Sequence, residues 1–287
     1  MGCSRAPIAN LVSAFEVNAG RESTGAGCAP GGPPSVSVVI PTRDRPELLR
    51  RAMASIPVEH EVVVVDDGST VPVVVDDPRA RVVRRERSGG AGAARNAGIV
   101  ASSGDWVGFC DDDDVWLPGR EVPTAARVVV YGSSTDRMPR RFDQDTVLDG
   151  FTPHVNATLV RRAACPLFDE NFQTVEDVEW WLRLAQAGPV TFLDHAAYKT
   201  GVNVAIRVDN GQVARIRDSR RLLDLHADWF AGHRRACAFR WARIAVMTAR
   251  TQGRVRAVPA LIEMMRAGPG VIALKAAVLA IKSGRDC

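Results

Sequence analysis

Four consecutive aspartates, Asp111 to Asp114, are the strongest chemical signal in the 287-residue sequence. In a loop that follows a strand, carboxylates two apart converge on one side. They offer the hard oxygen ligands that Mg²⁺ or Mn²⁺ takes, with phosphate oxygens filling other positions. That chemistry implies a diphosphate-bearing substrate. The competing reading is a solvated acidic turn. Against it stand the apolar flanks, Trp106-Val-Gly-Phe109 before the run and Val115-Trp-Leu-Pro118 after it. An EF-hand is excluded, because the glycine and the terminal glutamate of its loop do not fit here.

Two further acidic pairs stand apart in sequence. Asp66-Asp67-Gly68-Ser69 reads either as a chain reversal, since Asp and Gly favour turns, or as a carboxylate that accepts a uracil or thymine imide N–H or a ribose hydroxyl. Glu176-Asp177 opens a helix, where the macrodipole favours acids. One of the two carboxylates is equally suited to take a proton from an attacking hydroxyl. The five histidines have no metal-ligand spacing; His154 is placed to line a cleft, with a structural role the preferred reading.

The elements that would position these groups follow from periodicity. Ser35–Ile40 is β-branched and reads as a strand stopped by Pro41, with a helix from Pro46 carrying Leu48, Leu49, Met53 and Ile56 on one face. Glu61–Val65 is a second strand, buried on both faces by its four valines. Ala80–Val83 leads into Ser88-Gly89-Gly90-Ala91-Gly92, then a helix over Ala93–Ala101 and a strand over Asp105–Cys110. Such alternation predicts an α/β fold with a mostly parallel sheet, whose ligands bind at the carboxyl ends of the strands. Pro41-Thr42-Arg43, Asp66-Asp67-Gly68 and the tetra-aspartate all fall at those ends.

The middle is less regular. A strand is expected over Arg127–Tyr131, a polar loop up to Gly150, a short apolar segment over Val155–Val160 and a helix over Val178–Ala187 closed by Gly188-Pro189. From Gln212 onward the chain reads as helical and basic.

Hydrophobic residues make up 46% and charged residues 24%, which suits one or two globular domains and excludes disorder throughout. The six cysteines form no C-x-x-C pair, against a zinc site and for a reducing compartment. No signal peptide is apparent, Ala6 spoils a myristoylation start, and Val271–Ile281 is short and broken by Lys275. A cytoplasmic location follows as the expectation. The net charge of +4 divides into −6 up to Ile206 and +10 beyond it. Trp229-Phe230, Arg234-Arg235, Phe239-Arg240-Trp241 and Arg243 in that basic region suit either peripheral contact with the inner face of a membrane or, the preferred reading, helices packed on the core. Nucleic acid is excluded as a partner, since the body is acidic and carries no recognised motif.

Taken together, Val38-Val-Ile-Pro-Thr42, Val62-Val-Val-Val-Asp66-Asp-Gly-Ser-Thr70, Ala94-Arg-Asn-Ala-Gly98, Phe109-Cys-Asp-Asp-Asp-Asp114-Val-Trp-Leu-Pro118 and Glu176-Asp177-Val-Glu-Trp-Trp-Leu-Arg183 resemble the family 2 glycosyltransferases. The likeness covers roughly Ser35 to Gly188. It implies a GT-A fold, a Rossmann-like α/β domain, with 1–34 as a flexible leader and 35–206 as the catalytic domain. Within that domain 35–119 would hold the nucleotide sugar and 120–206 the acceptor, with 207–287 as a basic helical region.

The resemblance also implies roles. Pro41, Thr42 and Asp67 would hold base and ribose, Asp67 facing a pyrimidine ring, and Arg95 and Asn96 would sit by the nucleotide cleft. Asp111 and Asp113 match the D-x-D signature for Mg²⁺ or Mn²⁺, Asp113 as the direct ligand, with Asp112 assisting at the ribose. Asp177 matches the catalytic base. The implied reaction is inverting transfer from a nucleoside-diphosphate sugar to a sugar, a lipid-linked or a small-molecule acceptor, and the Ala-, Arg- and Val-rich composition with few lysines fits a GC-rich bacterium. The 64 positions from Asp113 to Asp177 are few for the family, so the acceptor-side insert is expected to be trimmed. Arg183 follows Trp180-Trp181 in the wrong order for the Q-x-x-R-W signature, so one sugar per event is expected. The alternatives are a silent sugar-nucleotide-binding scaffold, which has no need of Asp177, and a nucleotidyltransferase, which would want a glycine-rich basic loop after the first strand.

Overall fold

A computed structural model describes residues 34–123, 125–133, 152–201 and 211–268, which fall in one compact unit. Strands β1 (Val36–Thr42), β2 (Glu61–Asp67), β3 (Ala80–Arg85) and β4 (Trp106–Phe109) run parallel in the order β3-β2-β1-β4. Their valines serve two cores. Val38, Ile40, Val62 and Val64 pack with Leu49 and Met53 of α1 (Pro46–Ala54), while Val39, Val63 and Val65 pack with Ala94 and Ile99 of α2 (Gly90–Ala101). Helix α2 lies very close to the sheet. A Cβ at Gly98 would stand 2.2 Å from Val39 Cγ1, so the small residues of α2 set the height of the helix above β1.

Pro41 does not stop the first strand. It pairs with Val65 and β1 continues to Thr42. On the other side β4 ends at Phe109, opposite Val39, so the N–H that proline lacks removes no rung there. Thr42 is thereby carried one residue further over the cleft.

Beyond β4 the sheet becomes mixed. The order continues through β7 (Thr158–Arg161), β6 (Val128–Ser133), β8 (Thr191–Lys199) and β5 (Val115–Trp116), eight strands among the described residues. The β4–β7, β6–β7 and β5–β8 pairs are antiparallel and β6–β8 is parallel. The sequence pattern does not announce β8, since Asp194 and His195 interrupt its apolar run and its pairing with β6 shifts register near Gly132. The expected helix is α3 (Glu176–Gln186).

Helices α4 (Gln212–Leu225), α5 (Ala227–Gly232), α6 (Arg234–Gln252) and α7 (Arg254–Ala267) follow. Ile216, Leu222, Leu223, Phe230, Ile244 and Ala260 form one core with Phe172 and Leu182, flanked by Trp229 and Trp241. The tail aromatics therefore turn inward against α3. Among the described residues no helix is long and apolar enough to cross a membrane. The leader up to Pro33, the polar loop before Gly150 and the Val271–Ile281 stretch lie outside the described residues.

Candidate active site

At the carboxyl end of β1 the Thr42 hydroxyl donates to Asp112 Oδ2 at 2.8 Å, and Arg45, the residue that caps α1, reaches Asp112 Oδ1 at 3.2 Å. Asp112 is buried, and burial pushes its pKa up against the pull of Thr42 and Arg45. Pro41 lies half-buried beside it. At the end of β2, Asp66 is fully buried and accepts N–H bonds from Ser69 (2.8 Å) and Val73 (3.1 Å) as well as an ion pair from Arg84.

Asp67 is also engaged. Arg85 (2.8 Å) and the Gly89 N–H (3.1 Å) meet Oδ1, while the Ser88 hydroxyl (2.7 Å) and the Gly90 N–H (3.0 Å) meet Oδ2. It thus serves two of the orphan donors at the N-terminus of α2 from across the cleft. The expected contact with a pyrimidine ring meets a carboxylate that already holds four donors. Asn96 is tied elsewhere too. Its side-chain amide accepts from Phe168 N–H (2.7 Å) and donates to Phe168 C=O (3.0 Å) and Glu170 (2.9 Å), so it straps the 168–170 segment to α2.

The tetra-aspartate is a tight turn, with Asp114 N–H donating to the Asp111 carbonyl at 3.0 Å. Asp111 faces Arg95 (2.9 Å) and His154 (3.9 Å). Asp114 is buried and accepts from Asn156 Nδ2 and from Gly201 N–H at 2.9 Å. The chain after β8 crosses this turn so closely that a Cβ at Gly201 would fall 1.6 Å from the Asp113 carbonyl oxygen. Burial would raise the Asp111 pKa, but Arg95 and His154 hold it below the usual range. For Asp114 burial wins, with Asp111 adding to the rise.

Whether these groups suit a cation can be judged from the donors. Oxygens of Asp111 and Asp114 and a ring nitrogen of His154 lie within 4.8 Å of one another. Two carboxylates held that close suit a hard divalent ion. His154 is oriented differently: its Nδ1 lies 3.3 Å from the Asn156 N–H, and its Nε2 is the atom that faces Asp111. Asp113, expected as the direct ligand, is outside this cluster, 37% exposed and 3.9 Å from Arg45.

The helix that carries the base candidate starts from a strained residue. Val175, the cap of α3, has φ of 56°, left-handed and unusual for a β-branched side chain. The turn before it is gripped by Asp218 of α4, fully buried, which accepts from Gln173 N–H (2.9 Å), Thr174 N–H (2.8 Å) and the Thr174 hydroxyl (3.1 Å). Glu176 turns toward the sheet, where Arg95 reaches it at 3.4 Å; burial and Asp177 push its pKa up. Asp177 turns toward the helical region and lines a cavity of about 320 Å³ with Thr152, Arg215, Arg240 and Arg243.

Arg95 therefore joins the two acidic motifs. It is buried over the Phe168 ring, 5.6 Å from its centroid, between Asp111 and Glu176. Burial would lower its pKa, but those two carboxylates raise it. The structure thus brings Thr42, Arg95, Asp111, Asp112 and Glu176-Asp177 along one edge of the sheet. Sequence reasoning missed Arg45, Asn156 and Asp218 and gave Asp114 no role beyond the run it ends, because their partners are distant in the chain and leave no local pattern.

Residues 37–145 match the family model for glycosyl transferase family 2. The pre-mycofactocin glycosyltransferase of Mycobacterium tuberculosis is 32% identical over 194 residues, covering 55% of this chain and 41% of that protein. The mannosyltransferase PcManGT of Pyrobaculum calidifontis, solved with GDP-Man and Mn²⁺, superposes with a TM-score of 0.54 at 19% identity over 88% of this chain and 81% of that one. Residues 1–349 of TarS from S. aureus, solved with UDP-GlcNAc, give 0.52 at 17% identity over 87% and 89%. These likenesses show the GT-A fold. For several curated relatives the matched stretch spans only 28–31% of their own length.

Proposed function

We propose, from the premise that the chain belongs to glycosyl transferase family 2 through residues 37–145, that it moves one sugar from a nucleoside-diphosphate sugar to an acceptor hydroxyl with inversion at C1. The observation that carries this reading is the Arg95 bridge, which sets the Asp111 turn and the Glu176-Asp177 helix start on either side of one guanidinium. A donor diphosphate at the first and an acceptor at the second would meet between them.

Asp177 takes the proton of the attacking hydroxyl as a general base. Thr42 and Arg45 hold Asp112 in place for the ribose, and Asp67 acts through the Ser88–Gly90 turn that it fastens. Arg95 keeps Glu176 and Asp111 from repelling one another and so fixes the spacing of the two half-sites. A divalent cation held by Asp111 with Asp113 or Asp114 would neutralise charge on the departing nucleoside diphosphate. The Mn²⁺ and nucleotide sugars in the solved neighbours support both the donor class and the ion.

Calorimetric titration of the chain with UDP, GDP and dTDP, with and without Mn²⁺, tests the donor half. Mn²⁺-dependent binding of one nucleotide, lost in Asp111→Ala, is the expected result. A folded chain that binds none of the three would overturn the reading.

A further inference from the structure

Resting on that reading, we infer that the acceptor carries a phosphate group next to its attacking hydroxyl, and that Arg215, Arg240 and Arg243 hold it. The three arginines and Asp177 line the same cavity of about 320 Å³, a volume of the small-ligand class. They come from two elements that sequence distance does not connect with the aspartate. Arg215 is on α4, while Arg240 and Arg243 are three residues apart on α6 and so share a face.

Among the described residues none of the three forms an ion pair with a carboxylate. Arg240 is half-buried and donates to the Thr152 hydroxyl at 3.2 Å; Arg215 and Arg243 stand exposed at the rim. They crowd one another: burial and Arg243 lower the Arg240 pKa to about 10, and partial desolvation at the cavity wall, with Arg215, lowers that of Arg243. Three guanidiniums thus share the cavity with one carboxylate, Asp177, which does not balance them.

Like charges gathered at a cavity wall cost free energy unless an anion joins them. A carboxylate satisfies one guanidinium fork, whereas a phosphate offers oxygens to several. A further donor lies next door. Thr152, Arg240 and Trp181 also line an adjoining crevice of about 20 Å³, room for one water, and the buried Trp181 indole N–H has no partner among the described residues. The same phosphate chemistry is offered by a soluble phosphorylated acceptor and by a phospholipid-type headgroup.

The test uses the full chain with its donor cleft saturated by UDP, titrated with inorganic phosphate by calorimetry. Binding is expected, weakened about tenfold or more in Arg240→Gln and in the double variant Arg215→Gln/Arg243→Gln. The double variant changes only exposed side chains, so its fold is checked readily by circular dichroism. Affinity for UDP is expected to be unchanged in both. Phosphate binding that survives both substitutions, or no phosphate binding by a chain that binds UDP, overturns the inference and leaves the donor reading standing. Phosphate binding at these arginines by a chain that binds no nucleotide overturns the acceptor role together with the transferase reading. Acetate competing as well as phosphate overturns the phosphate assignment in favour of a carboxylate. Competition by phosphatidylcholine vesicles carrying phosphatidic acid supports a membrane-borne phosphate, and competition by glycerol phosphate alone supports a soluble one.

Discussion

Along the carboxyl ends of β1, β2 and β4, Arg45 sits on Asp112, Arg84 on Asp66, Arg85 on Asp67 and Arg95 on Asp111, whereas beside α3 three arginines surround one aspartate, Asp177. The first region is a set of closed pairs. Its charges are spent on holding strand-end turns in place, and a ligand there meets a pre-organised rim. The second region carries an open excess of positive charge around a lone carboxylate. Pre-organisation through matched pairs suits a site that must place a diphosphate and an ion reproducibly. An unmatched field suits a site that waits for an anion. The two regions therefore predict different kinds of failure when a charge is removed.

The contrast is sharpest at Asp177. If it is the one acid among the arginines that moves a proton, Asp177→Asn should lower kcat by about 10²–10⁴-fold and leave nucleotide affinity unchanged. Steady-state transfer assays beside UDP titration measure both. A variant that keeps near-native turnover would remove the base assignment and leave Asp177 as a wall of the cavity.

The next effect breaks a pair on α3 itself. Glu179, 1% exposed, accepts from Arg183 Nε and a terminal guanidinium nitrogen at 2.7 Å each and pairs with His226 at 3.2 Å. Burial would raise its pKa, but His226 and Arg183 bring it below the ordinary 4.5. A depressed carboxylate contributes stability that is present above that ordinary value and lost as pH falls through the folded-state value. Glu179→Gln should therefore cost about 3 kcal/mol at neutral pH, and the gap from the native chain should shrink in acid. Urea unfolding at a series of pH values reads this directly. A gap that widens in acid would show that the clasp is not ionic. Asp66, likewise depressed by Ser69, Val73 and Arg84 against burial, should give the end of β2 an acid lability of the same sign.

A smaller effect separates the members of the acidic turn. The D-x-D pattern assigns the ion to Asp111 and Asp113, while the atoms that converge belong to Asp111, Asp114 and His154. Asp111→Asn should weaken Mn²⁺ binding by about 10–100-fold, and comparison of Asp113→Asn with Asp114→Asn decides between the two patterns. With the convergent set correct, Asp114→Asn has the larger effect on the Mn²⁺ titration. A larger effect at Asp113 means that the turn rearranges around the ion and restores the sequence motif.

The strand-end region was legible in sequence because each of its clusters sits at the end of a strand that announces itself. Val38–Ile40 and Val62–Val65 are continuous apolar runs, and the polar residues follow close behind. The limits of that reading were local. Pro41 reads as a stop, but the ladder it would break on the β4 side has already ended at Phe109. Asp67 and Asn96 read as ligand groups, yet their partners are the backbone of Gly89–Gly90 and of Phe168. Nothing in either residue's neighbourhood distinguishes a carboxylate aimed at a base from one aimed at a helix terminus. The region beside α3 was legible only at Glu176-Asp177. Asp218 lies 45 positions from the Gln173 N–H it holds, and the arginines reach Asp177 through the packing of α4 and α6. Their basicity was plain in the charge count, but tertiary packing decided which of them face the aspartate.

The two regions also share one backbone feature and fill it differently, which gives the smallest effect. Asp44 and Val175 are the non-glycine residues with positive φ among those described, at 54° and 56°. Aspartate tolerates this conformation, and Asp44 uses it: its carboxylate accepts Thr70 N–H at 2.7 Å and its own N–H donates to Ser69 Oγ at 3.0 Å. Valine gains nothing comparable, and left-handed backbone at such a residue costs about 1–3 kcal/mol. The grip of Asp218 on Gln173 and Thr174 is what holds the strained turn next to Asp177. Val175→Gly relieves the strain, against roughly 0.5–1 kcal/mol for the added freedom of the unfolded chain and some lost packing. The net expectation is stabilisation by about 1 kcal/mol, or a rise in Tm of about 2–4 °C, with nucleotide affinity unchanged. If turnover falls while stability rises, the strain serves to aim Asp177. If the variant is instead destabilised, the packing of Val175 against α4 outweighs its backbone, and the left-handed turn is a by-product of the helical region closing over the sheet.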